Sequence, residues 1–534
     1  MNSKKSTPRP LDYVPNRPLI VDESIKSADY IIPDWLTPPE PVDESTIRNS
    51  FTSDIVIAGA GLSGLCAAVR AAENGASVIV CEKTSTCVGR GGMFGSTDSS
   101  LMRKLGVKLN KEQIAREWIL HSGSRCKEDL VWHFVNNSGD ALDWLIDILD
   151  KEDVHPTLFG GHYKGPYYTE YAGTHLFGPG PNCTYKQMGT ALITAILKDR
   201  AEKLGVKFLF KTPACYLEKT EDRVSAVIAK SENGYIRLSA AKGVILACGD
   251  ISENHKMMAY YSPFALKPAR TACFPPNVNT GDGHKMGLWA GGAVEDTPWP
   301  TMVHLVGCGV YTFAFLFVNR LGKRFMNEDS WVQGKSLQCL NQPKGEYAWS
   351  VFDSKWVSEV EQTVDLGGGQ FWDSFSRIYG QKWTPENSEV EHTINGYIEN
   401  GVAVTANTID ELAEKMDVPV DALKSTVERY NEIFKLGYDA DYGKRKELLT
   451  SITEPPYFAI KWAPALLAVT GGLNTDVKMR VLNKDGEVVN GLYAVGNNAG
   501  GLYGMDYPVI ISGNSHAKCV LWGITAADSC TATI

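Results

Sequence analysis

The chain has 534 residues, of which 43% are hydrophobic and 22% charged, and its net charge is −9. This length exceeds what one hydrophobic core supports, so we expect two domains or one domain with a large insertion, and the composition excludes fibrous and wholly disordered proteins. The negative charge is spread along the chain without a basic cluster, so nucleic acid is not an expected partner.

The N-terminal segment shows no targeting signal. Residues 1–50 are rich in proline and lack both periodicity and the apolar core of a signal peptide, so we expect an extended arm without chemistry. No run reaches the ~18–20 apolar residues that a membrane span needs. The twelve cysteines have no zinc or haem spacing and are typical of reduced, buried thiols. The expected location is therefore the cytoplasm, with no membrane span.

The first periodic signal is a strand, glycine turn, helix and strand. Residues 54–58 predict a short buried strand, residues 65–74 an alanine-rich helix, and residues 77–81 a second strand. Residues 59–64, Gly-Ala-Gly-Leu-Ser-Gly, form the turn between the first strand and the helix. This order is the signature of a dinucleotide-binding unit.

Each glycine of this turn has a separate physical role. Gly59 allows the tight turn, Gly61 lets the backbone approach a pyrophosphate, and Gly64 lets the helix pack close to the strand. The pyrophosphate would lie at the helix N-terminus, and Glu82, at the end of the second strand, would accept hydrogen bonds from a ribose.

Later stretches favour FAD over NAD. The glycine-rich residues 89–97 follow the second strand almost at once, and residues 491–497 repeat the strand-then-glycine form. Residues 280–286 contain Thr-Gly-Asp-Gly, and residues 317–328 match V-N-x-x-G-x-R-F-x-N-E. On these motifs the sequence resembles, over residues 52–528, the FAD-dependent family of fumarate reductases, 3-ketosteroid dehydrogenases and related ene-reductases.

The resemblance implies an α/β fold, in which a two-dinucleotide-binding, Rossmann-like FAD domain has an inserted α+β substrate cap. The FAD domain would comprise residues 51–298 and 460–534, and the cap residues 299–459. Within the first part, residues 208–240 predict a β-meander with a hairpin turn at Asn233-Gly234. Residues 242–249 predict a buried strand that returns to the sheet.

The resemblance also implies the FAD contacts. No histidine lies near Gly91-Gly92, where family members with covalent flavin attach it, so non-covalent FAD is expected. A helix predicted at residues 515–528 would stabilise the charge of reduced flavin at its N-terminus, and His516 is expected to be only a residue of its first turn. The expected contacts are Gly59, Ala60, Gly61, Ser63, Gly64, Glu82, Lys83, Gly91, Gly92, Ser96, Ala214, Cys248, Gly249, Asp282, Gly496, Asn497, Asn514 and Ser515.

Three positions lack the anion-binding residues of fumarate-type members. Residues 329–333 contain no cap arginine, residues 466–472 contain no histidine, and Tyr507 replaces the arginine of the last motif. Each loss removes hydrogen bonds to a charged group worth about 1.5–3 kcal/mol each. We therefore expect no dicarboxylate substrate.

The aromatic residues that remain favour a flat, hydrophobic ketone. In ketosteroid dehydrogenases a tyrosine and a glycine amide hold the substrate carbonyl, which here implies Tyr507 and the backbone of Gly513. The loop between them is longer than in the family. The tyrosine that handles the proton is Tyr311 or Tyr503.

The expected activity is addition or removal of two hydrogens across a carbon–carbon bond conjugated to a ketone, on a steroid-like or other polycyclic apolar substrate. Two alternatives stay open: a reductase of small unsaturated carboxylates, and a flavin electron-transfer module. The sequence does not indicate the direction of the reaction. An external electron donor or acceptor is implied, which is another protein, a diffusible carrier or transiently bound NAD(P)H.

Overall fold

A computed structural model of the protein describes residues 33–166, 168–309, 313–366, 378–387 and 390–532. The catalytic candidate Tyr311 and residues 1–32 of the expected arm lie outside the described residues. Among the described helices, none is long and apolar enough to cross a membrane.

The α-helices are α1 (Leu62–Glu73), α2 (Ser100–Lys104), α3 (Lys111–His121), α4 (Glu128–Leu149), α5 (Gly189–Lys203), α6 (His255–Tyr261), α7 (Asp282–Trp289), α8 (Val332–Leu340), α9 (Trp356–Thr363), α10 (Val390–Glu399), α11 (Ile409–Met416), α12 (Val420–Leu436) and α13 (Asn514–Thr531). Short 3-10 helices occupy Asp34–Leu36, Glu44–Thr46, Asp150–Glu152, Pro263–Leu266, Val364–Leu366, Pro385–Asn387, Lys446–Leu448 and Gly496–Asn498. The β-strands are β1 (Ile47–Ala58), β2 (Val78–Cys81), β3 (Phe94–Gly95), β4 (Val154–Leu158), β5 (Thr174–Pro179), β6 (Lys207–Leu209), β7 (Ala214–Thr220), β8 (Arg223–Ser231), β9 (Gly234–Leu246), β10 (Arg270–Thr271), β11 (Thr301–His304), β12 (Leu316–Val318), β13 (Ala348–Phe352), β14 (Ala403–Ala406), β15 (Tyr457–Trp462), β16 (Ala465–Val469), β17 (Arg480–Leu482) and β18 (Val488–Ala494).

The largest sheet contains the predicted dinucleotide-binding unit and confirms the α/β class. Its strand order is β17-β18-β9-β1-β2-β6, with β8 and β7 attached beside β9. Strands β18, β9, β1, β2 and β6 run parallel, and Ile55 pairs with Val78. The second half of β1 and all of β2 are buried, because a parallel sheet is covered on both faces and its strands are continuous apolar runs.

Strand β1 is longer than the predicted strand at residues 54–58. It begins at Ile47, so the last residues assigned to the arm belong to the sheet, where Ile47 pairs with Tyr235. Strand β9 is also longer, since it runs unbroken from Gly234 to Leu246 where the sequence suggested two strands. The predicted hairpin turn is present, with Ser231 opposite Gly234. Long-range pairing between β1 and β9 therefore extends both strands.

Helices α1 and α13 pack directly on each other beside this sheet. A Cβ at Gly523 of α13 would lie 2.6 Å from the carbonyl oxygen of Ser63 and 2.9 Å from Cβ of Cys66. Farther along both helices, Arg70 Nε donates to Asp528 Oδ1 at 2.6 Å. The two helices therefore run in the same direction and begin at the same end of the sheet.

Between β11 and β16 the chain forms an antiparallel sheet of order β12-β13-β15-β14. Apolar clusters pack on it, one with α11 and α12 and another with α9 and α10. A buried ion network fixes the loop after β12, because Arg324 donates to Glu328 Oε2 and to Asp439 Oδ2, both at 2.8 Å. The limits 299–459 of a cap domain stay a prediction, and the sheet itself continues to Trp462.

Two three-stranded sheets complete the fold around the site. One has the order β3-β5-β4 and the other β10-β16-β11. The first places Phe94 and Gly95 beside Thr174 and His175. The second ends with His304 opposite Ala465. Both bring sequence-distant segments to the end of the large sheet where α1 and α13 begin.

Replacing Gly523 with alanine should destabilise the protein by about 1–3 kcal/mol, because the new Cβ overlaps backbone of α1 although alanine is the better helix former. Chemical unfolding of the FAD-loaded protein measures this loss. Gly396→Ala in α10 is the matched control, since a Cβ there meets no atom within 4 Å, and it should be neutral or stabilising by up to ~1 kcal/mol. Equal unfolding midpoints for the two variants would contradict the close packing.

Candidate cofactor cleft and active site

The glycine turn brings β1, α1 and the end of β9 into backbone contact. A Cβ at Gly59, whose φ is +108°, would lie 2.3 Å from the carbonyl oxygen of Ala247, and one at Gly64 would lie 2.1 Å from that of Gly59. At Gly61 the nearest atom to such a Cβ is Val88 O at 4.0 Å. The middle glycine thus faces open space, and α1 begins there without a side-chain cap, which leaves N–H groups for an anion.

Glu82 is fixed at the end of β2. Its Oε2 accepts a hydrogen bond from Ala60 N at 2.8 Å, and its Oε1 accepts from Thr84 N at 2.8 Å. A carboxylate has about four acceptor positions, so Glu82 retains acceptor capacity for the hydroxyls of a ribose.

Glu82 and the glycine turn border a cleft that is open to solvent. Ala60 and Gly64 belong to the turn beneath it. The expected cofactor contacts that line the cleft are Gly59, Gly61, Ser63, Glu82, Lys83, Ala214, Cys248, Gly249, Asp282 and Asn497. Their individual roles stay predictions.

Lys83 and Asp282 bind each other at the wall of the cleft. Lys83 Nζ lies 2.9 Å from Asp282 Oδ2 and donates to Thr280 Oγ1 at 2.8 Å. Burial opposes ionisation, but Lys83 and Lys285 lower the pKa of Asp282 to about 2. Asp282 is therefore ionised, and much of the charge of Lys83 is neutralised within the protein.

The loop of residues 89–97 meets the N-terminus of α13. Gly95 N donates to Gly513 O at 2.9 Å, and a Cβ at Gly91 would lie 2.6 Å from Cε1 of His516. His516 Nδ1 donates to Met93 O at 2.7 Å, and the ring stacks on Phe94 at 5.1 Å. Burial lowers the pKa of His516. This histidine of the first helical turn therefore anchors the loop that contains Gly91 and Gly92.

Three buried oxygens near this junction have no hydrogen-bond partner within the described residues: Ser96 Oγ, Asn497 Oδ1 and Asn514 Oδ1. Buried polar atoms in proteins are almost always satisfied. Helix α1 begins without a side-chain cap, whereas Ser515 N in the first turn of α13 donates to the hydroxyl of Tyr507. Unpaired acceptors, the uncapped N-terminus of α1 and the cleft together fit a dinucleotide such as FAD.

Two further predicted cofactor contacts, Ser515 and Gly496, lie close to the packed helices α1 and α13. Ser515 lies in the first turn of α13. A Cβ at Gly496, whose φ is +59°, would lie 2.5 Å from Ser63 Oγ. Gly496 thus lies beside the start of α1, and Ser515 lies in the first turn of α13 beside Tyr507.

Tyr507 is a buried phenol at the start of α13. Its side chain is 3% exposed, and its hydroxyl accepts a hydrogen bond from Ser515 N at 3.3 Å. Burial raises the pKa of Tyr507. The phenol therefore stays protonated at neutral pH, and within the described residues its proton is not donated elsewhere.

The other catalytic candidates have different surroundings. Tyr503 is fully buried, with ring centroids 5.9 Å from Trp118 and 5.2 Å from Tyr507. Gly513 adopts a left-handed φ of +79°, and a Cβ there would lie 2.3 Å from the carbonyl carbon of Met93. Tyr503 thus packs in the core beside Tyr507, and Gly513 touches the loop of residues 89–97.

His304 was not singled out from the sequence. It lies at the end of β11, with its ring centroid 6.2 Å from that of Tyr507. Burial lowers the pKa of His304 to about 3, so the imidazole is neutral at physiological pH. A single histidine in an apolar strand gives no sequence signal that would have identified it.

Asp250 and Asn498 adjoin residues that the sequence did predict. Asp250 follows Cys248 and Gly249, is 1% exposed and lines the cleft. Asn498 Oδ1 accepts from Cys248 N at 2.6 Å, and Asn498 Nδ2 donates to Gly249 O at 3.0 Å. Proximity to the predicted contacts was the available signal for both.

The sequence analysis also missed a segment, residues 159–166 and 168–174, that packs on the loop that contains Tyr507. Its backbone is held by Tyr171 N, which donates to Ile510 O at 2.7 Å. Ser512 accepts a bond from Thr174 Oγ1 at its carbonyl oxygen and donates from Oγ to Glu170 Oε1 at 2.7 Å. No motif in this segment predicts the contact.

Residues 329–333 contain no arginine, but the fold brings Arg445 to this stretch. Just after Glu328, Asp329 accepts hydrogen bonds from Arg445 Nε at 2.5 Å and Arg445 Nη2 at 2.9 Å. The guanidinium lies over the ring of Tyr163 at 5.0 Å. The charge of Arg445 is thus balanced by a buried carboxylate.

Several proteins of known activity are similar to this chain. The vinyl phenol reductase of Lactiplantibacillus plantarum is 27% identical over 497 residues, which cover 86% of this chain and 93% of that protein. The 3-oxosteroid 1-dehydrogenase of Mycobacterium tuberculosis is 26% identical, with 85% and 94% covered.

Solved structures of similar fold come from two kinds of enzyme. The 3-ketosteroid-Δ4-(5α)-dehydrogenase of Rhodococcus jostii has a TM-score of 0.70 and 24% identity, over 92% of this chain and 99% of that chain. The open form of a flavocytochrome c3 fumarate reductase has a TM-score of 0.68 and 22% identity, over 91% of this chain and 79% of that chain. Residues 54–509 match the FAD binding domain family. Because this match spans most of the sequence, the chain belongs to the FAD binding domain family and is an FAD-dependent oxidoreductase.

Proposed function

We propose that this oxidoreductase forms or reduces a carbon–carbon double bond conjugated to a ketone, on a flat apolar substrate such as a steroid. The observation that carries the proposal is the setting of Tyr507, a buried phenol whose oxygen accepts a bond from Ser515 N at the start of α13. A protonated phenol held in this way can donate to a carbonyl oxygen. The alignment with the 3-oxosteroid 1-dehydrogenase supports the same substrate class.

The chemistry divides between cofactor and protein. FAD, when bound, supplies the acceptor or donor of two electrons and a proton. Tyr507 would hold the carbonyl oxygen and stabilise the negative charge that develops on it as an enolate forms. The bond from Ser515 N fixes the phenol, and the helix N-terminus adds partial positive charge. Tyr503 or Tyr311 would exchange the proton at carbon.

Charge in the site argues against a carboxylate as the recognised group. His304, beside Tyr507, is neutral because burial lowers its pKa to about 3. Arg445 is held by Asp329 through two hydrogen bonds. Residues 507–515 contain no basic residue. A ketone needs only a hydrogen-bond donor, whereas a carboxylate would need a cation that these groups do not provide.

A second candidate is reduction of a double bond attached to a phenol ring. The alignment with the vinyl phenol reductase favours it. So does an aromatic group beside the loop of residues 507–513: Tyr163 stacks on Tyr168 at 3.8 Å, and Tyr168 lies 5.3 Å from Trp331. Such rings can stack on a planar aromatic substrate.

Replacing Tyr507 with phenylalanine should lower kcat on an enone by about 10²–10³-fold, the usual cost of one donor to a developing oxyanion. FAD content should be unchanged, because the substitution leaves the ring in place. Stopped-flow reoxidation of the reduced flavin by the enone measures the rate.

Tyr185→Phe is the matched control, since this phenol donates to Asp199 at 2.9 Å outside the site, and it should keep the wild-type rate. Full activity of Tyr507→Phe would refute the role of this phenol. An electron-transfer module without its own substrate chemistry would likewise be indifferent to the change.

A substrate panel separates the candidates. With dithionite-reduced methyl viologen as electron donor, a 3-keto-4-ene steroid or cyclohexenone should be turned over at least about tenfold faster than fumarate or cinnamate, because His304 beside Tyr507 is neutral and the charge of Arg445 is balanced by Asp329. Activity with 4-vinylphenol alone would select the second candidate. Activity confined to the carboxylates would overturn the ketone assignment.

FAD should be released when the protein is precipitated with acid. In the sequence no histidine adjoins Gly91-Gly92, where family members with covalent flavin attach it, and His516, which packs on Gly91 in the fold, donates from Nδ1 to Met93 O. The yellow colour and FAD absorbance should therefore appear in the supernatant. Flavin that stays with the washed pellet would show a covalent link.

A further inference from the structure

Glu170 connects two segments that are far apart in the chain. Its Oε1 accepts from Ser512 Oγ at 2.7 Å, across 342 residues, and its Oε2 accepts from Tyr163 N at 2.8 Å. Ser512 directly precedes Gly513, which begins α13. One carboxylate thus joins the segment that contains Tyr163 and Tyr168 to the loop that contains Tyr507.

The surroundings of Glu170 are aromatic and poor in charge. Within the described residues no basic side chain forms an ion pair with it. The described titratable groups of its own segment are His162, Tyr163, Lys164, Tyr168 and Tyr171. Glu117 faces Thr169 and Tyr171, and the Asp329–Arg445 pair lies beyond Tyr163. The loop opposite contributes Tyr507 and Asp506, and burial raises the pKa of Asp506 to about 6.

We propose that Glu170 is a positioning residue for the reaction: through Ser512 it holds the loop of residues 507–513 so that Tyr507 and Gly513 meet the substrate. The hydrogen bond from Tyr163 N lies within the segment of Glu170, whereas the hydrogen bond from Ser512 Oγ connects this segment to the loop. Without the carboxylate, two hydrogen bonds between these segments would remain within the described residues. Tyr171 N and Thr174 Oγ1 donate them, and both are accepted by backbone oxygens of the loop. The inference rests on the proposed function for its kinetic test only.

Protonation of Glu170 should weaken its hydrogen bond to Ser512 and so its restraint on the loop. Burial raises the pKa of Glu170 to about 7, against the two donors that lower it. Ionised Glu170 accepts both bonds with full charge, whereas the protonated form has one acceptor fewer. The hold on the loop therefore strengthens as pH rises through about 7. Because the folded pKa is raised, the contribution of Glu170 to the free energy of unfolding is present at low pH and decreases over the same rise.

Replacing Glu170 with glutamine should lower kcat by about 10- to 100-fold, as expected for loss of a hydrogen bond to a charged group. The wild-type kcat should increase through an inflection near pH 7, and the variant should lack this inflection while it retains FAD. The measurement is flavin reoxidation by the accepted alkene between pH 5.5 and 8.5, a range of about three units around that pKa.

Glu359→Gln is the matched control. Burial raises the pKa of this α9 carboxyl to about 7 as well, and among the described residues it forms no hydrogen bond with the loop. It should keep both kcat and the inflection. Ser512→Ala should reproduce the Glu170→Gln effect, and the double variant should be no slower than either, since both remove one bond. Additive losses, or a wild-type profile for Glu170→Gln, would overturn the proposal.

Hydrogen exchange provides a readout that needs no substrate. In Glu170→Gln the amides of residues 505–513 should exchange at least about tenfold faster than in the wild type, and those of α9 should be unchanged. If the wild type turns over no alkene, the proposed function fails and this comparison still decides the positioning role. Unchanged exchange in residues 505–513 would refute it.

Discussion

The parallel packing of α1 on α13 is the constraint on which the site depends. Glycine at position 523 lets the two helix backbones approach, and the Arg70–Asp528 pair fixes their register. Both helices therefore begin at the same end of the large sheet, each after a glycine. The N-terminus of α1 is uncapped and faces the cleft beside Gly61, whereas in α13 Ser515 N donates to Tyr507. A dinucleotide whose central pyrophosphate carries negative charge fits the N-terminus of α1, and partial positive charge at the N-terminus of α13 suits a ring that gains charge on reduction.

The sequence predicted those elements whose conformation depends on residues that are close together in the chain. The glycine turn, α1 and β2 were recognisable because steric demands at Gly59 and Gly64 act within a few residues. The start of β1 was missed, because residues 47–53 are ordered by pairing with β9, almost two hundred residues away. Lys83 and Asp282 were assigned to the cofactor one by one, and their mutual ion pair needed the fold to become visible.

The missed site residues share the same cause. Glu170 and His304 belong to no motif, and each reaches Tyr507 or its loop through contacts between distant segments. Their pKa values are moved by burial, which a sequence does not report. The expected substrate class rests on charged residues that are absent from the motifs. The absence of a residue from a motif does not show whether another charged residue lies close to the site. Geometry added that Arg445 is paired with Asp329 and that His304 is neutral, so neither offers a net positive charge to a substrate carboxylate.

The long sequence separation between α1 and α13 has a consequence for biosynthesis. Arg70 and Asp528 lie 458 residues apart, so a ribosome that adds about 5–20 residues per second needs on the order of 20–90 s between them. During that interval the glycine turn and β2 are already made, but nothing yet covers α1 on the side that α13 will occupy. The nascent chain therefore displays an apolar helix face with half of a nucleotide site. Secure capture of the flavin must follow the emergence of the last helix from the ribosomal exit tunnel.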